Sequence, residues 1–213
     1  MKSKKMFSIG IVCLCTFVVW TLLVRIVDVA AIGPCVSSVG FSSLNQFVHE
    51  LTGANMTLYT ITDWLGLVPI FVALGFAILG LVQWIKRKSF LAVDRSIFLL
   101  GAFYIAVMMV YIFFEFVIIN YRPILIDSNL EASYPSSTTM LVMCVMPTAL
   151  MQLDGRIKNV ALKRFVFVFV TAFIAFMVIG RLISGVHWIS DIIGGVLVSI
   201  GFVSIYYALT QEK

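Results

Sequence analysis

Long apolar runs alternate with short polar segments along most of this chain. A helix of about 20 apolar residues crosses a bilayer core. The runs at 7–31, 57–85, 96–120, 137–153, 161–182 and 187–209 reach or approach that length. They predict an all-α polytopic membrane protein, a bundle of six transmembrane helices. The fourth run is short and contains Pro147, which predicts a kink. Between the first two runs, Phe41, Leu44, Val48 and Leu51 recur at helical spacing, with Ser42, Asn45, Gln46, His49 and Glu50 opposite them. That pattern predicts a short helix lying on the membrane surface, with His49 solvated. Lys2, Lys4 and Lys5 give the chain a signal-like start, but the apolar run from Phe7 to Val24 is too long for an ordinary signal core. It reads as a retained membrane helix.

Composition supports this picture. Hydrophobic residues make up 62% of the chain and charged residues 12%, with a mean hydropathy of +1.08. A water-soluble domain of this size needs far more polar surface. No polar stretch is long enough for a second domain, so residues 1–213 read as one membrane-embedded unit. Cys13, Cys15 and Cys144 fall in apolar runs and Cys35 stands alone, which suggests small buried hydrophobes rather than a disulfide framework or a metal site. Asn55-Met56-Thr57 matches a glycosylation sequon, a pattern common by chance.

The net charge of +5 does not indicate nucleic-acid binding, because the basic residues sit in short clusters between apolar runs. Twelve of the fifteen fall at Lys2, Lys4, Lys5, at Lys86, Arg87, Lys88, Arg95, at Arg156, Lys158, Lys163, Arg164 and at Lys213. All twelve lie on one side of the predicted bundle. By the positive-inside rule that side is cytoplasmic, with both termini inside a cell membrane. The other side holds Arg25, Arg122 and Arg181, together with Asp28, Glu50, Asp63, Glu115, Asp127, Glu131 and Asp191 in or near outer helix ends. Snorkelling to the interface explains Arg25, Asp28 and Asp63. Ionisable groups retained in a membrane span otherwise point to function.

Three segments on that outer side carry chemistry. In Gly180-Arg181-Leu182-Ile183-Ser184-Gly185-Val186-His187-Trp188-Ile189-Ser190-Asp191, a helix starting near His187 sets Asp191 one turn on, on the same face. A carboxylate there can fix the imidazole tautomer and leave the second nitrogen free to attack. The bland alternative is a His–Asp pair that ties two helix ends. Arg181 adds a planar fork suited to phosphate oxygens. Tyr134-Pro135-Ser136-Ser137-Thr138-Thr139 is a good helix start, whose free amides form an anion site. Asn120-Tyr121-Arg122-Pro123 supplies a second guanidinium. Together they suit a tetrahedral oxyanion with a nucleophile beneath it.

These segments resemble the three signature motifs of the type 2 phosphatidic acid phosphatase superfamily, whose members include membrane lipid phosphatases and undecaprenyl diphosphate phosphatases. Arg122 and Pro123 match the end of K-x6-R-P, Pro135 and Ser136 the start of P-S-G-H, and Arg181, His187 and Asp191 match S-R-x5-H-x3-D. The resemblance implies that His187 attacks phosphorus to form a phosphohistidine while Asp191 orients it. It implies that Arg122, Ser136 and Arg181 hold phosphate oxygens. It implies no cofactor and no metal, and the sequence contains no metal-ligand cluster. The expected partners are the bilayer and a lipid phosphate or diphosphate, such as undecaprenyl diphosphate or phosphatidic acid, at the outer face.

The chain departs from the motifs at three positions. Glu115 stands where the first-motif lysine falls, Ser137 and Thr138 replace the glycine and histidine of the second, and Gly180 replaces the serine of the third. Threonine cannot serve as a general acid, and losing one costs roughly 100- to 10,000-fold. An alkoxide leaving group needs that proton badly, whereas a phosphate, with a second pKa near 6, leaves without it. The substitution at Thr138 therefore favours diphosphate substrates. Glu115 can pair with Arg25 or Arg122, act as a substitute acid, or point away from the site. A relative that binds lipid headgroups without hydrolysis is the alternative function. A transporter is a weaker third, because no internal repeat is visible.

Overall fold

The computed structural model of the protein describes residues 2–211. Lys213, one of the basic residues read as cytoplasmic, lies outside the described residues. Among the described residues there are eight α-helices and no strands beyond isolated bridges: α1 Lys2–Ile26, α2 Ser42–Thr52, α3 Met56–Leu65, α4 Leu67–Arg87, α5 Arg95–Phe116, α6 Ser137–Asp154, α7 Val160–Ile183 and α8 Ile189–Gln211. Helices α3 and α4 meet at Gly66 and together make one 32-residue apolar span. Among the described residues, five spans are long and apolar enough to cross a membrane. The sixth element of the predicted bundle, α6, is less apolar, and Thr139, Val142, Cys144, Val145, Thr148 and Gln152 are all buried along it. It packs against α4, α5, α7 and α8, so protein rather than lipid covers much of its surface. Pro147 is accommodated inside α6. The all-α membrane bundle is thus as expected, with α1 starting earlier and ending sooner than its predicted span.

Helix α1 lies along α8, where small residues let two backbones approach. A side chain at Gly10 would meet Gly201 O at 2.9 Å, and one at Gly201 would meet Leu14 Cγ at 2.8 Å. The pair Gly194–Gly195 in α8 has a similar use: a Cβ on Gly194 would sit 2.7 Å from the Tyr134 ring. The 134–139 segment is bedded onto α8 at this point. The Tyr134 hydroxyl also bonds Thr21 of α1 at 2.7 Å.

The predicted surface helix exists as α2, but its polar side faces inward. Ser42 and Asn45 are buried, while Leu44, Phe47 and Leu51 are exposed. Asn45 receives the Ser190 amide at 3.1 Å and donates to Ser190 Oγ at 3.0 Å, which ties α2 to the start of α8. His49 is not simply solvated: it is partly buried, with its ring 5.5 Å from Trp188. Asp28 holds the first turn of α2, accepting from the Ser43 amide at 2.8 Å and from Ser42 Oγ at 3.0 Å. It is a cap, not a snorkelling group. Asn55 of the sequon caps α3 through the Leu58 amide. Of the cysteines, Cys144 is buried, but Cys15 and Cys35 are exposed, contrary to the buried reading.

Because successive helices alternate in direction, the C-terminal ends of α1, α5 and α7 and the N-terminal ends of α3, α6 and α8 share one end of the bundle. Lys4, Lys5, Lys86, Arg87, Lys88, Arg95, Arg156, Lys163 and Arg164 gather at the opposite end. There Arg87 pairs with Asp94 at 2.8 Å and Lys163 with Asp154 at 2.5 Å.

Candidate active site

The site is built on the α7–α8 turn. Gly185 adopts a positive φ of 66°, and a Cβ there would overlap the backbone carbonyl of Gly53. Only glycine fits a left-handed turn pressed so closely on another chain segment. The Asn55 amide bonds Ser184 O at 2.9 Å and fastens the same contact. His187 follows, two residues ahead of α8 rather than in its first turn. Asp191 lies in that first turn and its Oδ2 accepts the Trp188 amide at 3.0 Å, half of a capping box. Its Oδ1 accepts from Asn120 Nδ2 at 3.1 Å. The carboxylate is fully buried and held from both sides.

His187 is 3% exposed. Its Nδ1 faces Asp191 Oδ2 at 3.8 Å, and its Nε2 lies 3.2 Å from Arg181 Nη2. A guanidinium can only donate, so this contact requires the lone pair to be on Nε2 and the proton on Nδ1, towards Asp191. Burial, reinforced by the charges of Arg122 and Arg181, holds the imidazole pKa well below its ordinary value, with the Ser133 backbone pulling the other way. The ring is therefore neutral at pH 7.

Arg181 is 1% exposed. Its guanidinium carbon lies 5.1 Å from the centre of the Tyr59 ring, and its Nη1 is 3.7 Å from Asp63 Oδ1. Asp63 thus turns towards Arg181 rather than snorkelling away. Gly180 makes this possible, because a Cβ there would fall 2.8 Å from Thr62 Cγ2 of α3. The departure from the motif serine at Gly180 brings α3 up against Arg181.

Arg122 is matched with Glu131, not Glu115. Its Nε is 3.0 Å from Glu131 Oε2, without an aligned hydrogen bond, and its amide bonds Glu131 O at 3.0 Å. The chain between them doubles back through Asp127 and Ser128, both at positive φ, in a tight two-residue turn. A cavity of about 490 Å³ opens beside Arg122 and His187, lined also by Tyr111, Glu115, Tyr121, Glu131, Ser133, Tyr134 and Ser137. Ser136 lies behind this lining, fully buried, with its Oγ unpartnered. Thr138 faces a neighbouring groove shared with Asp63, Gly66 and Leu67. Tyr111, Ser137 and Met140 line both spaces and connect them. Arg181 Nε and Nη1 also lack hydrogen-bond partners.

The structure therefore brings His187, Asp191, Arg122 and Arg181 together, lines the cavity with Glu115 and Ser137, and sets Ser136 and Thr138 at its margins. Tyr59 joins the site without having been named from the sequence, and Asn120, Glu131 and Ser190, named there, join it without having been given a role. Among the described residues no group of three or more His, Cys, Asp or Glu side chains could hold a metal ion.

The architecture is a polytopic membrane helix bundle with a buried histidine–arginine centre at one end. Residues 115–213 match the family model of the PAP2 superfamily. The whole fold is similar to the crystal structure of the first transmembrane PAP2-type phosphatidylglycerolphosphate phosphatase from Bacillus subtilis, with a TM-score of 0.64, 16% identity and 94% of each chain covered. No curated protein matches the chain. The chain shares the overall fold of that transmembrane protein.

Proposed function

We propose that the protein hydrolyses a lipid phosphate or diphosphate through a phosphohistidine on His187, acting as one domain at the non-cytoplasmic face. The supporting observation is the buried, neutral His187, with Nε2 turned to Arg181 and Nδ1 to Asp191 beside an arginine-lined cavity. Nε2 attacks phosphorus as the bond to the leaving oxygen breaks. The imidazole becomes cationic, and Asp191 stabilises that charge. Arg122 and Arg181 hold the equatorial oxygens. Water then attacks phosphorus, the P–N bond breaks, and neutral His187 is regenerated as water's proton passes to the released phosphate. A lipid diphosphate releases a lipid monophosphate without needing a protonated leaving group. That suits a chain with Thr138 at the motif position. The basic clusters at the opposite end support an outward-facing site.

The same Thr138 favours a second reading, a protein that binds lipid phosphate headgroups without hydrolysis. Phosphate release by purified protein in detergent from undecaprenyl diphosphate and phosphatidic acid, with His187→Ala alongside, separates the two. Release that vanishes in the variant supports hydrolysis through His187. Headgroup binding without release supports the second reading.

A further inference from the structure

We infer that the lipid phosphate taken by this site carries an ammonium group close to its phosphate, and that Glu115 recognises it. This rests on the reading of the cavity as a phosphate site. The unpartnered buried donors, Arg122 Nε and Nη1, Arg181 Nε and Nη1 and Ser136 Oγ, call for an anion. Yet each cation already faces a carboxylate, Arg122 that of Glu131 and Arg181 that of Asp63. Glu115 takes part in no salt bridge among the described residues, and it lines the same cavity as Arg122 and His187. With Asp191 beside His187, the site thus sets two guanidiniums against four carboxylates before a ligand arrives. A plain phosphate dianion would add charge of the sign already in excess, and like charges brought together disfavour binding.

A headgroup with both phosphate and ammonium removes the conflict. Its phosphate meets the orphaned donors, and its cation meets Glu115. The local structure favours a cation there in two further ways. Glu115 sits in the last turn of α5, where the helix carbonyls present partial negative charge. Tyr111, one turn earlier, and Tyr121 line the same space with aromatic rings that attract ammonium groups. The chemistry belongs to amino-alcohol lipid phosphates and to amino-sugar phosphates alike.

The test compares sphinganine 1-phosphate with its N-acetyl derivative, and glucosamine 1-phosphate with N-acetylglucosamine 1-phosphate. Each pair differs in whether nitrogen carries a charge. Binding to wild-type protein, Glu115→Gln and Glu115→Lys in detergent is measured by titration, with phosphate release followed in parallel. Wild-type protein is expected to bind the ammonium member of at least one pair about tenfold more tightly. Glu115→Gln should lose that preference and Glu115→Lys should reverse it. Preference in the lipid pair alone identifies an amino-alcohol lipid, and preference in the sugar pair identifies an amino-sugar headgroup. Equal binding within both pairs, or a preference untouched in both folded variants, overturns the inference. Preference kept without phosphate release would leave it standing and sink only hydrolysis.

Discussion

Nε2 of His187 lies 3.2 Å from Nη2 of Arg181, so the lone pair that would attack phosphorus is engaged by the guanidinium proposed to bind phosphate. A substrate oxygen that draws the guanidinium to itself releases that lone pair. Substrate binding and nucleophile release then become one event. Asp63 and Tyr59, on the far side of Arg181, hold the guanidinium where both partners can reach it.

Asp191→Asn should lower kcat for phosphate release by about 10³- to 10⁴-fold with little change in KM, because the carboxylate faces Nδ1 and would stabilise the imidazolium. Steady-state kinetics in detergent check this. A KM effect without a kcat effect would assign Asp191 to binding instead.

Thr138→His should raise turnover of phosphatidic acid by up to about 100-fold or more while changing diphosphate turnover little. Position 138 lines a groove that shares Tyr111, Ser137 and Met140 with the cavity. Equal gains on both substrates would contradict the leaving-group argument.

Gly180→Ser, which restores the motif serine, should destabilise this protein by roughly 1–3 kcal/mol through overpacking. The new Cβ would stand 2.8 Å from Thr62 Cγ2. Adding Thr62→Ala should recover most of the loss, and a double-mutant cycle of melting temperatures measures that coupling. Additive effects would show that α3 and α7 do not meet through this pair.

His187 should contribute a loss of thermal stability as pH drops from about 7 to about 5. Burial keeps His187 uncharged in the folded protein, whereas its unfolded counterpart takes up a proton near the ordinary value of 6.5. The unfolded state then binds more protons, so acidification favours it. His49, lowered by burial against the pull of Glu50, acts in the same direction. Asp28 and Asp94, held low by hydrogen bonds from Ser43 and Arg87, add a loss only below about pH 4. His187→Asn should show a shallower melting-temperature slope between pH 7 and 5, and an unchanged slope would rule out this origin.

The third motif was legible because Arg181, His187 and Asp191 lie within eleven residues of one another and carry their chemistry locally. The bundle was legible because bilayer thickness sets the length of apolar runs. The role of α3 was hidden, since Tyr59 and Asp63 precede Arg181 by more than a hundred residues and only packing at Gly180 joins them. An acidic residue in an apolar span was the one signal available there. Helix α2 was misread on its polar side: hydrophobic periodicity cannot say whether Asn45 faces water or receives the Ser190 amide. The pairing of Glu131 with Arg122 was hidden because a turn at Asp127 and Ser128, not sequence spacing, carries it back to Arg122.

The pairing of α1 with α8 bears on how the protein is made. The helix that presents Asp191 is the last of the eight to leave the ribosome, and its principal neighbour is the first. Trp20 of α1 donates to Ser190 O at 3.1 Å, next to that aspartate. The growing chain therefore passes through the translocon without an assembled centre. The histidine–arginine centre is complete only when the earliest and latest helices find each other in the bilayer.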